Sequence, residues 1–311
     1  MNAVRTRGLG KAYRDATAVR GLDLTVPRGT TFGFLGPNGA GKSTTIGMLC
    51  TLIRPTAGEA SVAGQDINRA PHEVRRRIGL VTQESTVDQD LSAIENLSFH
   101  AELYGASRRD ARRRAGAVLE IMHLAERGRS PVRTYSGGMR RRLDIARGLM
   151  HEPEVLFLDE PTAGLDPHSR ANIWTRLHEL RQRQGITIFL TTHYLEEAEN
   201  CGRIAVIDRG SVVAEGSPAD LKSTVGDDLV CLRTADDAAA VHAVRTQLGL
   251  AAALVNHEVR VRATDGAALI PALIQAVTVP VTSVTVVKPS LDDVFLHHTG
   301  RTIGEPVGDP R

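Results

Sequence analysis

"GPNGAGKST", Gly36 to Thr44, decides the reading of this chain because of what lies on either side of it. "TFGFL" before it is apolar and strand-like, and "GKSTTIGMLCTLI", which begins at Gly41, reads as a helix. A G-x-x-x-x-G-K-[ST] loop between a strand and a helix is the setting in which backbone N–H groups surround phosphate oxygens. Gly36, Pro37, Asn38, Gly39, Ala40 and Gly41 would form that curl, and the helix N-terminus adds its positive dipole end. Lys42 would reach the outer phosphates, and Ser43, followed by Thr44, would offer a hydroxyl to Mg²⁺. The plainer alternative is a glycine-rich turn that happens to carry a lysine.

Outward from the loop, "RIGLVTQ", "VLFLDEP", "ITIFLTTH" and "RIAVIDRG" are short, nearly all-apolar runs, the pattern of a parallel sheet buried on both faces. The fold class is therefore α/β of the P-loop NTPase type, over residues 1–224. Between about Leu91 and Ala125 there is no such strand and many helix formers, which predicts a helical insertion, a subdomain of about 91–150. "GSPADLKSTVGDD", Gly216 to Asp228, reads as a linker. Residues 225–311 then read as strand, helix, paired strands, helix, strand, helix. This α+β order is compatible with a small ferredoxin-like βαββαβ module that regulates or docks.

Two carboxylates, Asp159 and Glu160, end the strand "VLFLD". At a strand's C-terminal edge the first can bind Mg²⁺ and the second can polarise an attacking water, although a pair of acids can also simply solvate the end of a strand. His193 follows another buried-type strand and would reach the same edge. Alone, it would read as a core histidine.

"RTYSGGMRRRLDIAR", Arg133 to Arg147, sets Ser136, Gly137 and Gly138 before an amphipathic helical pattern. The serine predicts an N-cap, and the bare backbone beside it suits a phosphate presented by another subunit. Arg140, Arg141 and Arg142 fall in the first turn, where positive charge opposes the helix dipole, so they predict an anion nearby. An ordinary N-cap with a solvated arginine face is the alternative.

Composition narrows the classes. With 38 Lys+Arg against 36 Asp+Glu, the net charge of +2 argues against a nucleic-acid binder, and "SRRDARRRAG", Ser107 to Gly116, reads as a solvated helix face. Cys50, Cys201 and Cys231 are far apart and in no CxxC pair, which implies neither a disulfide framework nor a zinc site and fits a reducing cytoplasm. The start is too polar for a signal peptide. Ala267 to Val287 is uncharged and long enough to span a bilayer, yet Pro271, Pro280 and Gln275 break it, predicting helix then strand.

Together these residues resemble the ATP-binding subunit of ABC transporters over about Val4 to Thr224. "GPNGAGKST" looks like the family's Walker A loop, "YSGGM" its signature motif, "VLFLDE" its Walker B strand, "AGLD" its D-loop and "TTH" its H-loop. Gln83 in "LVTQES" matches the Q-loop, a further Mg²⁺ contact, and Tyr13 sits where the family places an aromatic that stacks on adenine. Tyr135 and Met139 depart from the commonest signature pattern, which has leucine and glutamine there. "TYSGGMRRRLDIA" and "LDDVF", Leu291 to Phe295, are instead similar to the daunorubicin-resistance-type exporter branch.

The resemblance implies an ATPase that uses ATP and Mg²⁺, with Glu160 and His193 catalytic. It implies a head-to-tail homodimer in which Ser136–Gly138 of each copy meets the ATP on the other's Walker A loop. It also implies separate transmembrane permease subunits of ABC-2 type, a place on the cytoplasmic face of the membrane, and export of a hydrophobic drug or antibiotic, or of lipid or polysaccharide. A soluble relative acting on ribosomes or DNA is disfavoured: the first usually carries two Walker A loops per chain and the second a long coiled coil, whereas here one loop precedes the signature by about ninety residues. A P-loop kinase would leave Ser136–Gly138 and His193 without roles.

Overall fold

The computed structural model describes residues 2–14 and 16–303. Two long strands, β1 (Asn2–Ala12) and β2 (Thr17–Pro27), pair antiparallel, with Val19, Leu22, Leu24 and Val26 buried along one face of β2. The fully buried β3 (Thr31–Leu35) runs into the glycine-rich loop and α1 (Lys42–Leu49). β4 (Ala57–Val62) and β5 (Gln65–Asp66) return to the first sheet, completing the order β2-β1-β4-β5. None of these four strands stood out as an apolar run. Their buried residues are interspersed with exposed polar ones such as Arg5, Arg7, Asp23, Thr25 and Glu59, and register shifts interrupt the β1–β2 pairing.

α2 (Pro71–Arg77) leads into β6 (Ile78–Val81), and the expected insertion follows as α3 (Ala93–Leu103) and α4 (Arg108–Ile121). Ser92 and Glu95 form a capping box that starts α3, and the exposed Arg108, Arg109, Arg112 and Arg113 occupy the outer face of α4. Then come α5 (Gly137–Gly148), β7 (Val155–Asp159), α6 (Pro167–Gln184), β8 (Thr187–Thr192), α7 (Leu195–Ala198), β9 (Arg203–Asp208) and β10 (Ser211–Gly216).

The second sheet has the order β10-β9-β3-β8-β7-β6, parallel except for β10 at its edge. Phe32, Phe34 and Phe157 each pack on Phe189, with ring centroids 5.3 to 5.8 Å apart. Parallel pairing puts the C-terminal ends of β3, β6, β7 and β8 along one edge. That edge receives the loops carrying Gly36–Gly41, Gln83, Glu160 and His193.

Gly216–Asp228 is not a plain linker: Pro218–Val225 forms a helix, α8. Proline at the first helical position, Asp220 in the first turn and Lys222 in the last supply helix start and stop chemistry that a Gly/Ser/Pro-rich reading overlooks. Backbone contacts divide the chain after Pro218. The second unit, Ala219–Thr302, contains β11 (Asp228–Thr234), α9 (Asp237–Leu248), β12 (Ala252–Val255), β13 (Glu258–Ala263), α10 (Gly266–Ala276), β14 (Val281–Val287) and α11 (Leu291–Thr299). Its sheet, β12-β13-β11-β14, is antiparallel throughout and packs Val230, Leu232, Val259 and Val261 against Val244 and Leu273 of the helices. The element order from β11 to β14 is that of a ferredoxin-like module. The uncharged run from Ala267 splits into α10 and β14, and among the described residues no helix is long and apolar enough to cross a membrane. Residues 304–311, the end of the segment read as the C-terminal domain, lie outside the described residues.

Candidate active site

The loop after β3 is held by close backbone approaches that only glycine permits. A Cβ on Gly36 would lie 2.3 Å from the Ile207 carbonyl oxygen, and one on Gly41, at φ +106°, would lie 2.5 Å from that of Ala18. No side chain caps α1, whose first hydrogen bond within the helix is Thr45 N–H to Gly41 O, so the N–H groups of the preceding turn remain for an anion.

Lys42, only 5% exposed, donates from Nζ to the carbonyls of Gly36 (2.8 Å) and Pro37 (3.1 Å), and lies 3.3 Å from Glu160 Oε1. Burial lowers its pKa from the ordinary lysine value, while Glu160 and Asp159 pull it back up. Asp159 Oδ1 accepts a 2.5 Å bond from Thr191 Oγ1, and the same hydroxyl accepts from the Glu160 N–H at 3.0 Å. One threonine of β8 thus fixes both neighbouring acids. Glu160 itself sits at φ +46°, a left-handed conformation that costs a non-glycine residue about 1 kcal/mol or more. His193 Nδ1 is 3.2 Å from Glu160 Oε1 but is not aligned to hydrogen-bond with it.

An open cavity of about 330 Å³ is bounded by Asn38 and Gly39, by Gly41–Thr44, and by Gln83 and Glu160. Its size is at the lower end for ligand pockets. The structure therefore brings Gln83 and Glu160 to the glycine-rich loop, and His193 to Glu160. It does not bring Ser136, Gly137 or Gly138 there, since none of them lines the cavity. Ser136 caps α5 by accepting from Met139 N–H (3.3 Å), and both it and Gly137 are exposed. Tyr13 also stands off the cavity, half exposed, with Lys11 Nζ 5.1 Å from its ring centre.

The arginines of α5 depart from expectation. Arg141 needs no anion: it is 7% exposed and donates to the carbonyls of Pro161 (2.6 Å), Thr82 (2.6 Å), Asp159 (3.0 Å) and Glu160 (3.2 Å). It lies one turn into α5 rather than in the first turn, and it fastens that helix to the segments carrying Gln83 and Glu160. Arg142 likewise donates to Met122 and His123 carbonyls. Clustered backbone carbonyls are as good a partner for a guanidinium as an anion, and no spacing in the sequence announces them.

Glu197, 1% exposed at the end of the His193 segment, was not singled out by sequence either. Burial raises its pKa to about 7, a rise that the Thr192 hydroxyl and Arg170 partly offset. Between its unfolded value near 4.5 and about 7 the folded state binds the extra proton, so stability falls as pH rises through that window. Glu197→Gln is therefore expected to melt like the parent at pH 4 and to be more stable at pH 8, by up to about 3 kcal/mol. Thermal unfolding at the two pH values tests it; an equal difference at both would contradict it.

Comparison with known proteins matches residues 19–163 to the ABC transporter family model. The chain is 44% identical over 304 residues to the daunorubicin resistance ATP-binding protein DrrA3 of Streptomyces coeruleorubidus, covering 96% of each chain. The chain belongs to the ABC transporter family. It is also 37% identical to the linearmycin resistance ATP-binding protein LnrL of Bacillus subtilis, over 96% of this chain and 99% of that one. Among solved structures, a dimeric ATP-binding cassette in a post-hydrolysis state, bound to ADP and Pi, superposes with a TM-score of 0.63 at 27% identity, covering 69% of this chain and 98% of the other. This ABC protein is an ATPase.

Proposed function

We propose that this ABC ATPase powers an exporter of a hydrophobic drug or antibiotic from the cytoplasmic face of the membrane, through separately encoded ABC-2-type permease subunits. Similarity to two resistance proteins along nearly the whole chain, second unit included, carries the choice of cargo class. Lys42 and the N–H groups of Gly39–Thr44 hold the triphosphate, and Tyr13 stacks on adenine. Ser43, Asp159 and Gln83 form a set of hard oxygen donors that suits Mg²⁺, which takes few protein ligands when phosphates supply the rest. Glu160 activates water and His193 orients the reacting groups.

Two copies pair head-to-tail. The observation that supports this is the position of Ser136–Gly138, away from the cavity that gathers the other motifs and capping a helix whose N-terminus is exposed. The segment from residue 225 onward docks or regulates, since every residue assigned to ATP chemistry precedes it.

Accumulation of a fluorescent anthracycline in cells that express this chain together with a candidate ABC-2-type permease tests the cargo. Several-fold lower accumulation, lost in Lys42→Ala, is expected. Unchanged accumulation would remove the drug assignment and leave lipid or polysaccharide export.

A further inference from the structure

We propose that the first turn of α6 links the two ATP sites of the dimer through each subunit, with Arg170 as the positioning residue that ties it to His193. The inference rests on the head-to-tail reading, in which Ser136–Gly138 serves the partner's ATP and His193 serves the subunit's own. Both ends of the link are visible within one chain. At one end, α5 and α6 meet so closely at Gly138 that a Cβ there would lie 2.6 Å from Ser169 Oγ. Ser169 is fixed in turn, because its N–H donates to Asp166 Oδ1 (2.9 Å), the cap that starts α6 at the end of "AGLD".

At the other end, the next residue reaches the His193 segment. The Arg170 guanidinium carbon lies 4.5 Å from the Tyr194 ring centre, and its nitrogens lie 3.9 Å from Glu196 Oε2 and from Glu197 Oε1. The Tyr194 ring packs 4.0 Å from that of His193, which faces Glu160.

Between the two ends is a rigid body. α6 runs for 18 residues and buries Ile173, Trp174, Leu177 and Leu180, so a push on Ser169 is not absorbed by bending one turn. When the partner's ATP draws Ser136–Gly138 toward it, the contact with Ser169 carries the motion into α6, and Arg170 passes it to Tyr194 and His193. Arg170 touches neither ATP nor the attacking water. Its part is to place His193 when the opposite site is filled.

The full-length chain tests this with Arg170→Met, which removes the charge, and Arg170→Lys, which keeps a cation over the ring. For Arg170→Met the expected result is a roughly 10- to 100-fold fall in kcat, the scale of a small misplacement of a catalytic group. KM for ATP should stay within about two-fold and the Hill coefficient for ATP should fall toward 1, with Arg170→Lys recovering most of both. Tyr194 gives an arm that leaves the Glu197 pair intact: Tyr194→Leu should reproduce the defect and Tyr194→Phe should not. Parental kcat and cooperativity in Arg170→Met, or equal behaviour of the two Tyr194 variants, would overturn the link. ATP-dependent dimerisation of Arg170→Met/Glu160→Gln, followed by sizing, separates the two levels. If it dimerises, the sandwich stands whatever the kinetics show; if Glu160→Gln alone fails to dimerise, the sandwich reading itself has failed.

Discussion

Glu160→Gln is expected to lower ATP turnover by about 10²- to 10⁴-fold, the usual contribution of a positioned general base, without weakening ATP binding. Glutamine keeps the size of the side chain and its backbone bond to Thr191 Oγ1, but it cannot take a proton from water. The substitution also removes the carboxylate 3.3 Å from Lys42 Nζ, so the ammonium meets the phosphates with one internal partner fewer, keeping the Gly36 and Pro37 carbonyls. ATP should stay bound, and a long-lived ATP dimer should accumulate. Single-turnover hydrolysis and sizing with Mg-ATP check both halves. Hydrolysis at the parental rate, or a monomer throughout, would take the assigned role from Glu160.

Lys42→Ala is expected to weaken ATP binding by at least about 10- to 100-fold, the worth of a hydrogen bond to a charged group in a buried site. Among the described residues that line the cavity there is no second lysine or arginine. Arg141, the buried arginine beside the same two acids, already spends its donors on the carbonyls of Thr82, Asp159, Glu160 and Pro161. Titration with a fluorescent ATP analogue reads the loss, and near-parental affinity would contradict it.

The parts of the site visible in the sequence are those that the parallel sheet carries to one edge. Each of β3, β6, β7 and β8 is a largely apolar run followed within two residues by one of the residues singled out, Gly36, Gln83, Glu160 and His193, and parallel pairing gathers such ends whatever their separation along the chain. The residues that hold those groups in place were not visible. Thr191, at the start of "TTH", has no role of its own in the sequence reading, yet it fastens Asp159 and Glu160 together. Arg141 sits between two other arginines and reads as charge that meets an anion or solvent, although its partners are carbonyls from segments distant in sequence. Glu197 stands among acids on a polar-looking turn, and only the fold buries it. The antiparallel sheet has no apolar run to mark it, because one-sided burial leaves polar residues such as Arg5, Arg7, Asp23, Thr25 and Glu59 between the buried ones, and register shifts interrupt it.

Mixing Ser136→Arg chains with Lys42→Ala chains tests the composite site most directly. Ser136→Arg leaves its own glycine-rich loop intact, and Lys42→Ala leaves its own Ser136–Gly138 intact. A mixed dimer therefore holds one whole site and one doubly damaged site, while each homodimer holds two damaged ones. The expected ATPase activity is near zero for either variant alone and passes through a maximum near equimolar mixing. Activity that stays near zero at every ratio, or a Ser136→Arg chain that hydrolyses ATP like the parent, would contradict a site shared between two subunits.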